Sequence, residues 1–106
     1  MKTIIAFIKP HKLDDVTLAL QKLDGLTGMS VSTVHGFGRG KASEDVAARE
    51  EHVRIEIVCL DDLIDEAVST IEQAAHTGLR GDGKIYVYDV ESAVRISTGE
   101  RGDDAC

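Results

Sequence analysis

An α+β domain in the order strand, helix, strand, strand, helix, strand is what this sequence predicts, and three observations carry the prediction. Thr3 to Ile8 and Lys84 to Val90 are short runs rich in β-branched and aromatic residues, the composition of strands. Val53 to Cys59 alternates, with Val53, Ile55, Ile57 and Cys59 on one face and Arg54, Glu56 and Val58 on the other. Lys12 to Asp24 and Leu60 to His76 instead carry apolar residues at helical spacing. A chain of 106 residues is expected to form one domain over 1–106, large enough to enclose a core without disulfides.

Each element has a local reason. Pro10 closes the first strand, since it cannot donate to a ladder and biases Lys9 toward extended backbone. In the first helix Leu13, Val16, Leu20 and Leu23 form the apolar stripe, Asp14 and Asp15 occupy the first turn where the peptide dipoles favour anions, and Gly25 supplies the stop. After a Thr27-Gly28 turn, Met29 to His35 reads as the second strand, followed by the glycine-rich Gly36 to Gly40. Lys41 to His52 has only Ala42, Val46, Ala47 and Ala48 as apolar content and is expected to be a surface loop or a short helical tip, within a variable segment spanning about 40–52. The second helix opens at Leu60-Asp61-Asp62, buries Ile64, Ala67, Val68, Ile71 and Ala75, and is expected to end on Gly78 as its C′ residue. Ser92 to Ser97 reads as a last extended piece and 98–106 as a polar tail. Cys59 is expected in the core and Cys106 as a free thiol.

This order is the split βαβ arrangement of a ferredoxin-like domain, an antiparallel sheet with two helices on one face. The first and last strands are nevertheless apolar on both faces: Ile4, Ala6 and Ile8 against Ile5 and Phe7, and Ile85 and Val87 against Tyr86 and Tyr88. Water on the second face would meet an apolar patch of roughly several hundred Å², so a homo-oligomer that covers it is expected.

Several function classes fall away. A net charge of −7 leaves no general basic field, so nucleic acid is not expected as a partner and any anion site is local. The apolar run between Lys2 and Lys9 is too short for a signal-peptide core or a membrane span, which predicts a cytoplasmic protein without direct membrane insertion. RNA-recognition domains share the element order but stack bases on aromatic residues of their central strands, and Val53 to Cys59 has none. Acylphosphatases share it too and rely on an Arg and an Asn, whereas this chain has no Asn. Asp14-Asp15 and Asp61-Asp62 are helix-start chemistry rather than a carboxylate dyad, no nucleophile and base stand in plausible proximity, and no catalytic residue is expected. His35 and His52 flank the polar segment and could meet across an antiparallel pair, but no further ligand lies at suitable spacing, so no metal is expected.

The stretch with most chemistry is Thr77-Gly-Leu-Arg-Gly-Asp-Gly-Lys84, which puts three glycines and two cations, Arg80 and Lys84, into one connector. Glycines let successive amides turn toward an anion. The spacing of Gly78, Gly83 and Lys84 approaches a P-loop, but Ile85 stands where a Ser or Thr would hold magnesium, and the connector runs from helix to strand instead of strand to helix. A plain helix-to-strand connection is the competing reading.

Six segments taken in order, Ile8-Lys-Pro-His-Lys-Leu-Asp-Asp-Val16, Thr27-Gly-Met-Ser-Val31, Gly36-Phe-Gly-Arg39, Arg54-Ile-Glu-Ile-Val58, Thr77 to Ile85 and Thr98-Gly-Glu-Arg-Gly102, resemble the PII signal-transduction family over almost the whole chain. The resemblance implies a ferredoxin-like homotrimer, adenine nucleotides (ADP, AMP or ATP) in clefts between subunits, and a regulator that acts on a target transporter or enzyme through the loop 40–52. Carried over by position, nucleotide binding falls to Phe7, Gly28, Ser30, Gly36, Gly38, Arg39, Glu56, Val58, Gly81, Asp82, Gly83, Lys84 and Arg95. Glycine amides and the cations Arg39, Lys84 and Arg95 would supply charge-assisted bonds to phosphate oxygens.

The departures define a variant. Ser30 stands where the family usually has Thr, Gly40 for the Gln that helps hold magnesium and 2-oxoglutarate, His52 for the Lys that pairs with the 2-oxoglutarate carboxylate, and Ser97 for the second Arg of an Arg-x-Arg pair. The loop is several residues shorter than usual and lacks the Tyr that is uridylylated in bacterial members; Ser43 is its one hydroxyl. Apart from Ser30, which would help wall the adenosine with Phe7 and Gly28, these changes fall on the MgATP and 2-oxoglutarate side and the adenosine side is retained, so a nucleotide sensor without the standard 2-oxoglutarate and uridylylation response is expected. Arg39, Gly40 and His52 would suit a small anion such as bicarbonate, which makes a regulator of inorganic-carbon uptake or carboxysome function one alternative. A standard regulator of nitrogen metabolism, a slow nucleotide hydrolase and a nucleotide-independent interaction module are the others.

Overall fold

The structure, a computed structural model, describes residues 1–37 and 50–106. Four strands form one antiparallel sheet: β1 (Lys2–Ile8), β2 (Ser30–Gly36), β3 (Glu50–Cys59) and β4 (Gly83–Asp89), in the spatial order β2-β3-β1-β4. Helix α1 (Leu13–Gln21) follows β1 and helix α2 (Ile64–Ala75) follows β3, each entered through a short 3-10 turn, Pro10–Lys12 and Asp61–Leu63. This is the α+β, ferredoxin-like arrangement that the element order predicts.

The core lies between the sheet and the helices. Ile4, Ala6 and Ile8 of β1 and Val53, Ile55, Ile57 and Cys59 of β3 meet Val16 and Leu20 of α1 and Ile64, Ala67, Ile71 and Ala75 of α2, all buried. Val68, Leu13 and Leu23 pack at the margin. Each fully buried Ile or Leu is worth about 1.5–3 kcal/mol relative to exposure, which explains why the stripe positions alone set the helix orientation. Cys59 is in the core as expected, and burial pushes its thiol up.

The register fixes the other face. Ser30 lies opposite Glu56, Val34 opposite His52, Ile5 opposite Glu56 and Tyr86, and Phe7 opposite Arg54 and Lys84. Alternation therefore gathers Ile5, Phe7, His52, Arg54, Glu56, Val58, Lys84, Tyr86 and Tyr88 on the face away from the helices, as the sequence implies for this sheet. Tyr86 and Tyr88 are 42% and 53% exposed. The rings of Phe7 and Tyr86 meet edge to face at 6.3 Å.

Three expectations about boundaries are corrected. Glu50 to His52, read as part of a loop or helical tip, belong to β3, because Glu50 and Glu51 pair with Gly36 and His35 through backbone groups that need no apolar alternation. Helix α2 ends earlier than expected: His76 is already extended, so the left-handed Gly78, with φ +79°, lies beyond the C′ position. The segment after β4 is not a plain extended piece and tail. Val94 bridges Arg101, the chain turns through Gly99, and a 3-10 turn at Gly102–Ala105 brings Cys106 Sγ to 3.5 Å from the Val58 carbonyl oxygen. Residues 38–49, which include Gly38, Arg39, Gly40 and Ser43, lie outside the described residues.

Candidate nucleotide site

One carboxylate organises the connector between α2 and β4. Asp82 accepts from the Thr77 amide at 2.9 Å, from the Gly78 amide at 3.3 Å, and from the Thr77 hydroxyl in a short hydrogen bond. Lys9 Nζ stands 3.2 Å from Asp82 Oδ1 and donates to Thr77 Oγ1 at 3.2 Å, while His76 Nδ1 lies 3.6 Å from Asp82 Oδ2. The Thr77 hydroxyl and amide, with Lys9 and Gly78 adding to them, hold the Asp82 carboxyl well below the usual carboxylate range.

These bonds sort the loop's amides. Thr77 and Gly78 donate to Asp82, and Leu79 donates to Thr77 Oγ1 at 3.1 Å. The next two amides, of Arg80 and Gly81, donate to no acceptor among the described residues, and that of Asp82 faces the Leu79 carbonyl across a tight turn. Gly81 has φ +81°, and its carbonyl accepts from His52 Nε2 at 2.9 Å. Lys84 and Arg80 have no ion-pair partner among the described residues. The Glu50 carboxylate borders the same loop beside Gly81.

The site residues read from the sequence fall into two groups. Phe7, Gly36, His52, Gly83 and Lys84 line one cavity of about 310 Å³ on the open face, together with Phe37 and Tyr86, and Gly81 and Asp82 adjoin it through His52 and Gly83. Ser30, Glu56 and Val58, with Gly28 just before β2, lie toward the other end of the sheet. Four residues of strand separate His52 from Glu56, about 13 Å. Between the groups Arg54 pairs with Glu56 at 2.8 Å.

Arg95 belongs to the second group. Its Nη2 donates to the Cys106 carbonyl at 3.2 Å and its Nε lies 3.7 Å from Glu100, and Cys106 in turn rests on Val58. It is therefore remote from the glycine loop of its own chain. His35 and His52 do not converge: their register places them opposite Glu51 and Val34, on opposite faces of the sheet. Among the described residues no three His, Cys, Asp or Glu side chains group as metal ligands would, and no helix is long and apolar enough to cross a membrane.

Sequence reasoning missed Lys9, Thr77 and His76, which hold the loop without belonging to the glycine pattern. The Thr77–Asp82 spacing was the only local signal for this staple; Lys9 arrives from a distant part of the chain.

The family model described as nitrogen regulatory protein P-II matches residues 1–100. The nitrogen regulatory protein P-II of Rhodospirillum rubrum is 48% identical over 112 aligned positions, covering 99% of this chain and 99% of the relative. The P-II of Klebsiella oxytoca and P-II 1 of Escherichia coli K12 are each 49% identical with the same coverage. An alignment of 112 positions against 106 residues means that these relatives carry at least six residues that this chain lacks. Match and fold agree from end to end, and the chain belongs to the nitrogen regulatory protein P-II family, a family of regulators and not of enzymes.

Proposed function

We propose that this protein is a signal-transduction regulator that binds an adenine nucleotide, ADP, AMP or ATP, and passes its occupancy to a target transporter or enzyme through the segment 40–52. The observation that carries the reading is the pair of successive amides, Arg80 and Gly81, that have no acceptor among the described residues, close in sequence to Lys84, which has no ion-pair partner among them. Such a pair forms a concave, positively polarised nest suited to phosphate oxygens. The two groups of site residues stand at opposite ends of one sheet, so a nucleotide touching both spans adjoining copies: Arg95 of one protomer completes the glycine loop of the next. A homotrimer supplies that geometry, and its assembly also covers the open face.

The test is titration with ADP, AMP and ATP, followed by calorimetry and by the unfolding midpoint, which a ligand of the native state must raise. Lys84→Ala is expected to weaken ADP binding about tenfold or more, the worth of a charge-assisted bond. Wild-type affinity in that variant would remove Lys84 from the site. Control of nitrogen metabolism is the second reading, favoured by the names of the relatives. The segment 40–52, which has no Tyr and no Gln, favours a reworked loop instead. Adding 2-oxoglutarate with MgATP, or bicarbonate with ADP, separates the two, the standard sensor responding to the first and the inorganic-carbon regulator to the second.

A further inference from the structure

His52 lies on β3, opposite Val34, and its imidazole reaches out of the sheet to the glycine loop. A carbonyl oxygen can only accept, so the 2.9 Å contact with Gly81 requires the proton on Nε2. The peptide joining Gly81 to Asp82 is planar and trans, and in such a unit the C=O and N–H point in opposite directions. By holding the Gly81 carbonyl, His52 turns the Asp82 amide away from the imidazole, into the tight turn that faces the Leu79 carbonyl and leaves the Arg80 and Gly81 amides outward. Left-handed glycine backbone has little intrinsic preference for one peptide orientation over the flipped one. The His52 donor on the carbonyl and the Leu79 carbonyl across the turn together select it. Asp82 performs the complementary task by occupying the Thr77 and Gly78 amides, so the amides without an acceptor among the described residues are those of Arg80 and Gly81.

We propose that His52 is a positioning residue for the phosphate end of the bound nucleotide, acting through the Gly81–Asp82 peptide and not through contact with the ligand. The inference rests on the nucleotide reading given above. Its test compares ADP with adenosine, which lacks phosphates, in three proteins: wild type, His52→Phe, which keeps a ring without the donor, and His52→Gln, which carries a donor at similar reach. Calorimetry is expected to show ADP binding weakened about three- to tenfold in His52→Phe, the value of one hydrogen bond, and restored within about twofold in His52→Gln. Adenosine affinity should be the same in all three, and unfolding midpoints report whether each variant is folded. Undiminished ADP binding in His52→Phe, or an equal loss for adenosine, overturns the inference while leaving the nucleotide site standing. A folded wild-type protein that binds no adenylate overturns the nucleotide reading and this inference with it.

Discussion

At Gly83 the backbone passes so close to β1 that a Cβ would lie 1.6 Å from the Phe7 carbonyl oxygen, in a conformation with φ +107°. No side chain fits there without moving β4 off its partner. Gly83→Ala is therefore expected to destabilise the fold by about 3 kcal/mol or more, measured by urea unfolding. A loss under about 1 kcal/mol would mean that the strand pair can shift to admit a methyl group. The glycine pattern flags this residue as part of an anion-binding loop, and the structure adds a steric demand that the pattern cannot carry, because the group it avoids is far away in sequence. The same holds for His52. Its identity is legible as a ring nitrogen near the variable segment, whereas its bond to Gly81 depends on β3 beginning at Glu50, earlier than apolar alternation can reveal.

Among the elements, the two helices and the middle of β3 were legible because periodicity is a local signal: the buried residues Val16, Leu20, Ile64, Ala67, Ile71 and Ala75 are the ones that spacing selects. The turn from Val94 to Arg101 was not legible, since its bonds join the Arg95 amide to the Glu100 carbonyl and the Gly102 amide to the Ala93 carbonyl in a stretch without alternation. The connector from Thr77 to Gly83 lies between these cases, with its glycines visible and its carboxylate staple hidden. That staple has a pH signature. A carboxyl whose folded value is depressed contributes stability that is complete above its ordinary value, 3.8 for Asp82, and is lost progressively as pH falls from there to the lowered one. The Asp82 contribution should thus be complete from neutral pH down to about pH 4 and decline progressively below it. A carbon-13 titration of the Asp82 carboxyl is expected to stay flat down to about pH 3. A midpoint near that of a free aspartate would show that the Thr77 and Gly78 bonds do not hold in solution.

For the molecule as a whole, the sheet's second face is the one the proposed assembly would cover. Ile5, Phe7, Val58, Tyr86 and Tyr88 form an apolar surface that the two helices never reach, and this face is the physical ground for proposing an oligomer. Sedimentation is expected to give a trimer for the wild-type chain. Tyr88→Asp, which places a charge on the exposed part of this face, should shift it toward monomer, and on the proposed reading of a site shared between protomers it should abolish ADP binding together with assembly. A monomeric variant with wild-type ADP affinity would show that a single chain suffices.

The sheet order also has a consequence for how the chain is made. β1 is the first of the four strands to be synthesised, yet it occupies the interior of the sheet, flanked by β3 and β4, which come later. Until Gly83–Asp89 has emerged, one margin of this apolar strand has no hydrogen-bonding neighbour. A nascent chain halted before that point presents a sticky edge to other nascent chains, so completion of synthesis and protection from aggregation coincide.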